Sequence, residues 1–230
     1  MALKLSQLKT NIFRSRYTIL DMLETRGYNI DNYNSFSEKE IDTLFEQINS
    51  KVSTSSELGP LDILVERDIP NGIKDKCLIK YRLDEKFKKS KTLEQQILDI
   101  FKNNLNETDT LIILNINKIP FKKTKKESNI ESFIDDIYSK FNNFVQIYGI
   151  ENLLFNVSKH SIVPKHEIIF TNEIKKIKEH YNIEDINNIP TIRREDPQAK
   201  YIGAKPGDIV KITRPSISNI NSVLYRYCVE

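Results

Sequence analysis

The chain has 230 residues, enough for one large domain or two of ordinary size, and 39% are hydrophobic against 29% charged. Its formal charge of +3 is compatible with a neighbouring polyanion but too small to define a DNA-binding protein by itself. Cys77 and Cys228 are its two cysteines, without CxxC or zinc spacing, which argues against a disulfide framework or metal cluster and fits reduced thiols inside a cell.

The opening MALKLSQLKTNIFRSR lacks the apolar core and small-residue cleavage site of a signal peptide, and no apolar run has the length to cross a bilayer. Residues 6–28 carry Leu8, Ile12, Ile19, Leu20 and Leu23 at helical spacing, with Gly27 as a stop. A second amphipathic helix is predicted over 37–51, where Ser37 and Glu40 have capping-box spacing and Ile41, Leu44, Phe45 and Ile48 form the buried stripe. The period then changes. Residues 61–65 and 77–81 read as short strands bounded by Gly59-Pro60 and Pro70-Asn71-Gly72.

A helix over 92–105, a buried strand over 110–116 and a helix over 129–148 follow, the last with Phe133, Ile137, Phe141 and Phe144 on one side. Helices alternating with buried strands predict an α/β layer structure for residues 1–150. From residue 151 the pattern predicts a smaller mixed α/β domain over 151–230: a strand over 152–158, a segment 160–170, a charged helix over 171–182 and a final strand over 222–229. The fold class is therefore α/β in the broad sense, an α+β arrangement of two domains.

The stretch 193-RREDPQAKYIGAKPGDIVKITRPS-216 holds two of the six glycines and three of the eight prolines. Asp196-Pro197 is a helix-start signal, because Asp accepts from free amides and Pro fits the first helical position. Gly203 supplies a left-handed cap, Lys205 to Asp208 fit a type II turn with Gly207 at the positive-φ position, and Ile209 to Thr213 read as a strand. A phosphate-binding loop needs glycines that open a long helix, whereas these follow a short helix and precede a strand.

His160, His166 and His180 lack the one-turn spacing that presents two ligands on a helix, so they read as structural or surface residues. A sharper hypothesis is a nuclease using Asp62, Glu66 and Lys80. Metal-dependent cleavage of that kind needs a second acid two residues before the lysine, and that position is Leu78. The run 121-FKKTKK-126, after Pro120, reads as a loop whose lysines either meet nucleic-acid phosphates without base selectivity or only aid solubility.

The C-terminal third resembles the fifth subunit shared by eukaryotic nuclear RNA polymerases, which has a shorter counterpart in the archaeal enzyme. The matching residues are 160-HSIVPKHEII-169, Tyr181-Asn182-Ile183, Ile189-Pro190, then Arg194 to Pro197, Tyr201-Ile202-Gly203, Gly207 to Ile212, Arg214-Pro215-Ser216 and Tyr225-Arg226. Phe13 to Leu20, Leu23 and Arg26-Gly27-Tyr28 are similar to the first helix of the jaw domain that distinguishes the eukaryotic form. Between residues 30 and 150 the likeness is mostly one of pattern, and the lysine run after Pro120 replaces a less basic loop.

The resemblance implies a restriction-endonuclease-like jaw without catalytic activity over 1–150, beside downstream DNA, and an assembly domain over 151–230. Pro120, Lys122, Lys123, Lys125 and Lys126 would then lie near DNA. His160, Val163, Pro164, His166, Arg194, Asp196, Pro197, Tyr201, Gly203, Gly207, Arg214, Pro215, Tyr225 and Arg226 would serve the interface with the largest subunit and neighbouring small subunits. No catalytic residue, metal or cofactor is expected of this chain, because nucleotide addition belongs to the two large subunits. A hetero-oligomer is expected rather than a homo-oligomer. Its place would be the nucleus if the source is cellular, or the virion and host cytoplasm or nucleus if it is a large DNA virus. A freestanding nuclease or a stand-alone DNA-binding protein is the alternative.

Overall fold

A computed structural model describes residues 2–50, 58–69, 74–82, 91–115, 128–216 and 221–229. The chain divides into two compact units, Met1–Phe155 and Asn156–Glu230.

The first unit opens with helix α1 (Ala2–Thr25) and helix α2 (Glu38–Ser50). The capping box at α2 forms as its spacing predicts: Ser37 N–H donates to Glu40 Oε2 at 2.7 Å, and Glu40 N–H donates to Ser37 Oγ at 3.4 Å. Strands β1 (Ile63–Asp68), β2 (Lys74–Arg82), β3 (Thr110–Asn115) and β4 (Phe144–Gly149) form one sheet in sequential order, with helix α3 (Lys91–Asn104) before β3 and helix α4 (Ser128–Phe141) before β4. β1 pairs antiparallel with β2, whereas β2, β3 and β4 run parallel. Helical crossovers explain that change of direction, since parallel neighbours need a long return path.

Leu78, Leu111, Ile113, Val145 and Ile147 pack with Leu93, Ile97 and Phe101 of α3 and Phe133 and Ile137 of α4. The opposite face lies against α1, where Tyr148 OH reaches Met22 Sδ at 3.8 Å and Arg26 Nη2 donates to Gln146 Oε1 at 2.9 Å. Ile19, Met22, Leu78 and Ile112 are each completely buried. Burial of this kind stabilises by about 1.5–3 kcal/mol per large side chain.

The helix predicted over 129–148 stops at Phe141, and residues 144–149 are the strand β4 instead. Asn142 takes φ of 56°, a left-handed conformation that Asn tolerates and that ends a helix, and its N–H closes the last turn on the Tyr138 carbonyl. Phe144, whose spacing continues the helical stripe, thus enters the sheet. The strand predicted over 152–158 is absent: short 3₁₀ turns occupy Ile150–Leu153 and Val157–Lys159. Their apolar residues, Leu153 among them, give an apolar run that mimics a strand.

The second unit contains strand β5 (Lys165–Ile169), helix α5 (Thr171–His180), strand β6 (Thr191–Arg193), helix α6 (Pro197–Ile202), strand β7 (Ile209–Pro215) and strand β8 (Asn221–Val229). Its sheet has the order β5-β7-β8-β6, with β6 parallel to β8 and the other pairs antiparallel. The two faces have separate cores. Ile192, Ala199, Ala204, Val210, Ile212 and Cys228 pack on the α6 side, while Ile169, Ile189 and Ile209 pack with Ile174 and Ile177 of α5. Both units are mixed α/β, as the alternation of periods predicts.

Candidate functional site

The dense Gly and Pro stretch of the second unit builds a rigid scaffold residue by residue. Asp196 Oδ1 accepts from the N–H groups of Gln198 at 2.9 Å and Ala199 at 3.4 Å, and Pro197 takes the first position of α6. Gly203 closes the helix with φ of 75°. Gly207 has φ of 100°, and Asp208 N–H donates to the Lys205 carbonyl at 3.0 Å, closing the turn that Pro206 and Gly207 predict. The Asp208 carboxylate accepts from Lys205 N–H at 2.7 Å and fixes the turn from its other side. Tyr201 OH accepts from Asn156 Nδ2 at 2.8 Å, tying the stretch to the start of the unit.

The other interface candidates fall in two settings. His160 caps the 3₁₀ turn, where its Nδ1 accepts from Ile162 N–H at 3.3 Å, and Val163 N–H donates to the His160 carbonyl at 2.9 Å. His166 Nδ1 lies 2.8 Å from the Pro164 carbonyl. Arg214 and Pro215 are exposed at the end of β7. Arg226 donates from Nη1 to the Thr191 carbonyl at 2.9 Å, and the Tyr225 ring meets that of Tyr181 at 5.7 Å. Arg194 is different. It is only 4% exposed, so its guanidinium supports the unit from within. Around these residues the unit exposes large apolar side chains, notably Ile162 at 83% and Phe170 at 68%. Sequence reasoning passes over Ile162 and Phe170 because an apolar residue beside a strand reads as core.

Pro120, Lys122, Lys123, Lys125 and Lys126 lie outside the described residues. The would-be nuclease residues can be placed. Asp62 uses Oδ2 to accept from Gly59 N–H at 2.7 Å and Oδ1 to accept from Tyr81 N–H at 3.0 Å. Burial is the main cause that raises its pKa, against those two hydrogen bonds, and burial likewise lowers that of Lys80. Leu78 is completely buried in the α3–α4 core. Glu66 pairs with Lys74 and Lys76, each at 3.4 Å. Asp62 thus pins a turn to the sheet, while Glu66 points to surface lysines. No group of three or more His, Cys, Asp or Glu suited to a metal ion occurs among the described residues.

The second unit is thus a small mixed sheet between two helices, stiffened by a capped turn and rimmed by exposed apolar residues. Comparison with known proteins identifies its family. Residues 155–228 match the family described as RNA polymerase Rpb5, C-terminal domain. DNA-directed RNA polymerase subunit Rpo5 of Sulfolobus acidocaldarius is 49% identical over 74 residues, 32% of this chain and 87% of that protein. The Rpo5 of Archaeoglobus fulgidus is 45% identical over 75 residues, 33% of this chain and 97% of the relative. The rpabc1 subunit of DNA-directed RNA polymerases I, II and III of Dictyostelium discoideum is 31% identical over 107 residues, 45% of this chain and 54% of the relative. The chain belongs to the family of the fifth subunit of multisubunit DNA-directed RNA polymerases, and as such it is a non-catalytic subunit that assembles with others. The nuclease alternative finds no support in these relatives or in the placement of Asp62 and Leu78.

Proposed function

We propose that the second unit is the module by which this subunit docks on the largest polymerase subunit, and that the first unit stands beside downstream DNA as a jaw. The observation that carries the docking role is one of extent. The similarity to relatives that consist of little else spans residues 155–228, and Asn156–Glu230 is a compact unit with its own two cores. A module that makes up nearly the whole of the archaeal subunits is the part expected to hold the subunit in the enzyme. The DNA-facing role rests on the lysines at 122, 123, 125 and 126, whose charge suits backbone phosphates without base readout. The protein is expected wherever that polymerase transcribes.

Tagged full chain should bring down the two largest subunits, and a chain ending at residue 155 should not. Capture undiminished by that truncation would remove the docking role from the second unit.

A further inference from the structure

The two sheets treat their edge strands differently. In the first unit, the outward groups of β1 are occupied by the segment that follows α1. Tyr33 OH donates to the Leu64 carbonyl and accepts from Leu64 N–H, both at 3.2 Å, and Asn29 N–H donates to the Glu66 carbonyl at 3.0 Å. Such blunting is the usual defence of an edge against unwanted strand pairing.

In the second unit, β5 is bonded on one side only, to β7. Its outward residues follow from alternation. Tyr227 N–H donates to Pro190 and Val229 accepts from Arg194, so odd residues of β8 serve the β6 side. Cys228 N–H donates to the Asp208 carbonyl, so even residues of β8 and β7 face each other. Odd residues of β7 therefore face β5, where Glu167 opposes Lys211 and Ile169 opposes Ile209. His166 and Ile168 then direct their N–H and C=O away from the sheet, and no described residue bonds to those groups. The strand contains neither Gly nor Pro. Ile162 before it and Phe170 after it are 83% and 68% exposed.

We propose that β5 is a strand-addition site, which an extended segment of another polymerase subunit joins through the N–H and C=O of His166 and Ile168. This rests on the reading of the second unit as the docking module. It commits that module to one mode, in which main-chain bonds give affinity and alternate side chains give selectivity. The incoming strand carries an apolar side chain beside Ile168, whose own side chain packs against the α6-side core, and apolar residues at its ends to cover Ile162 and Phe170.

A second copy of this chain fits poorly in each antiparallel register. Centred on Glu167, pairing sets two carboxylates directly opposite each other. Centred on His166, it requires an N–H from Pro164, which has none. Centred on Ile168, it requires the Phe170 carbonyl, which already accepts from Glu173 N–H at 2.9 Å and Ile174 N–H at 3.4 Å. A strand from a different subunit escapes all three penalties.

Hydrogen exchange of the His166 and Ile168 amides, measured in the purified full chain and in the assembled polymerase, tests this directly. Both amides should exchange freely in the chain alone and at least about a hundredfold more slowly in the polymerase. Equal rates in a polymerase that retains the subunit would overturn strand addition while leaving the docking role intact. Capture that survives removal of residues 156–230 would instead overturn the docking reading, and strand addition with it. Protection that grows with concentration in the chain alone would overturn the proposal by assigning the edge to a second copy.

His166→Pro, set against His166→Ala, supplies an independent readout, since the N–H it removes is not used by β7. In competition with wild-type chain for incorporation into polymerase, the proline variant should fall at least about tenfold below the alanine variant. Equal incorporation of the two would overturn the proposal.

Discussion

Asp75 is 3% exposed, and its Oδ2 gathers Arg67 Nε at 2.7 Å, Arg67 Nη2 at 2.6 Å and Tyr28 OH at 2.9 Å. The guanidinium also lies 4.7 Å over the Tyr28 ring, and burial above all raises the pKa of that phenol far beyond its ordinary value. Asp75→Ala leaves the Tyr28 hydroxyl buried without its acceptor and removes a charge-assisted partner of Arg67, whose Nη1 still donates to the Arg26 carbonyl, so urea denaturation should record a loss of about 2 kcal/mol. Nothing in 70-PNGIKDKC-77 marks this role: an Asp between two lysines beside a turn signal reads as surface charge, and only the fold brings Tyr28 and Arg67 to it. Cys77 and Cys228 are both free and buried. Burial first of all pushes Cys77 and Cys228 to about 12. An unfolded thiol ionises near about 8.5, so the unfolded chain releases protons that the folded one keeps. Stability is then fully present below about pH 8.5 and falls as pH rises toward 12, by up to about 1.4 kcal/mol per unit for each thiol. Urea midpoints taken at pH 8 and pH 10 on the wild type and on Cys77→Ala should show the smaller slope in the variant.

At the scale of the element, spacing marks out most helices and misplaces some strands. The capping box at Ser37 and Glu40 and the Asp196-Pro197 start are legible because their chemistry is local. The end of α4 and the start of β4 are less so, since Phe144 suits either the helical stripe or the sheet and a left-handed Asn142 decides between them. The three-residue strand β6 is invisible in the sequence: its place depends on a parallel partner, β8, some thirty residues further on. The capping of β1 is likewise hidden in the Asn-rich segment 29–35, which composition presents as a plain loop. Tyr33→Phe removes the hydroxyl that serves both the N–H and the C=O of Leu64, while keeping the ring against Arg16 at 5.7 Å. It should cost about 1 kcal/mol, and the Leu64 amide should exchange faster in the variant.

For the whole molecule, motif order read in one dimension carried the family, because the residues that set α6, its turn and β7 are close in sequence and each has a backbone task. The β5 edge proposed to take a partner strand is less legible, since an exposed strand edge is made of backbone groups that every residue owns. Within the polymerase, Lys122→Ala with Lys123→Ala should leave subunit capture unchanged and weaken engagement with downstream DNA. A plot of log affinity against log salt should become shallower by roughly one to two charges. An unchanged slope would place those lysines away from the duplex.

The order β5-β7-β8-β6 has a kinetic consequence. In the first unit each strand settles beside its predecessor, so the sheet can grow in the order of the chain. In the second, β6 and β7 share no ladder, and β6 has no partner until residues 221–229 slot between them. Until that insertion the sheet consists of a β5–β7 pair and an isolated strand. Closure of the second sheet should accordingly await β8, because its pairing with β6 spans a long stretch of chain and must bear the loop entropy first.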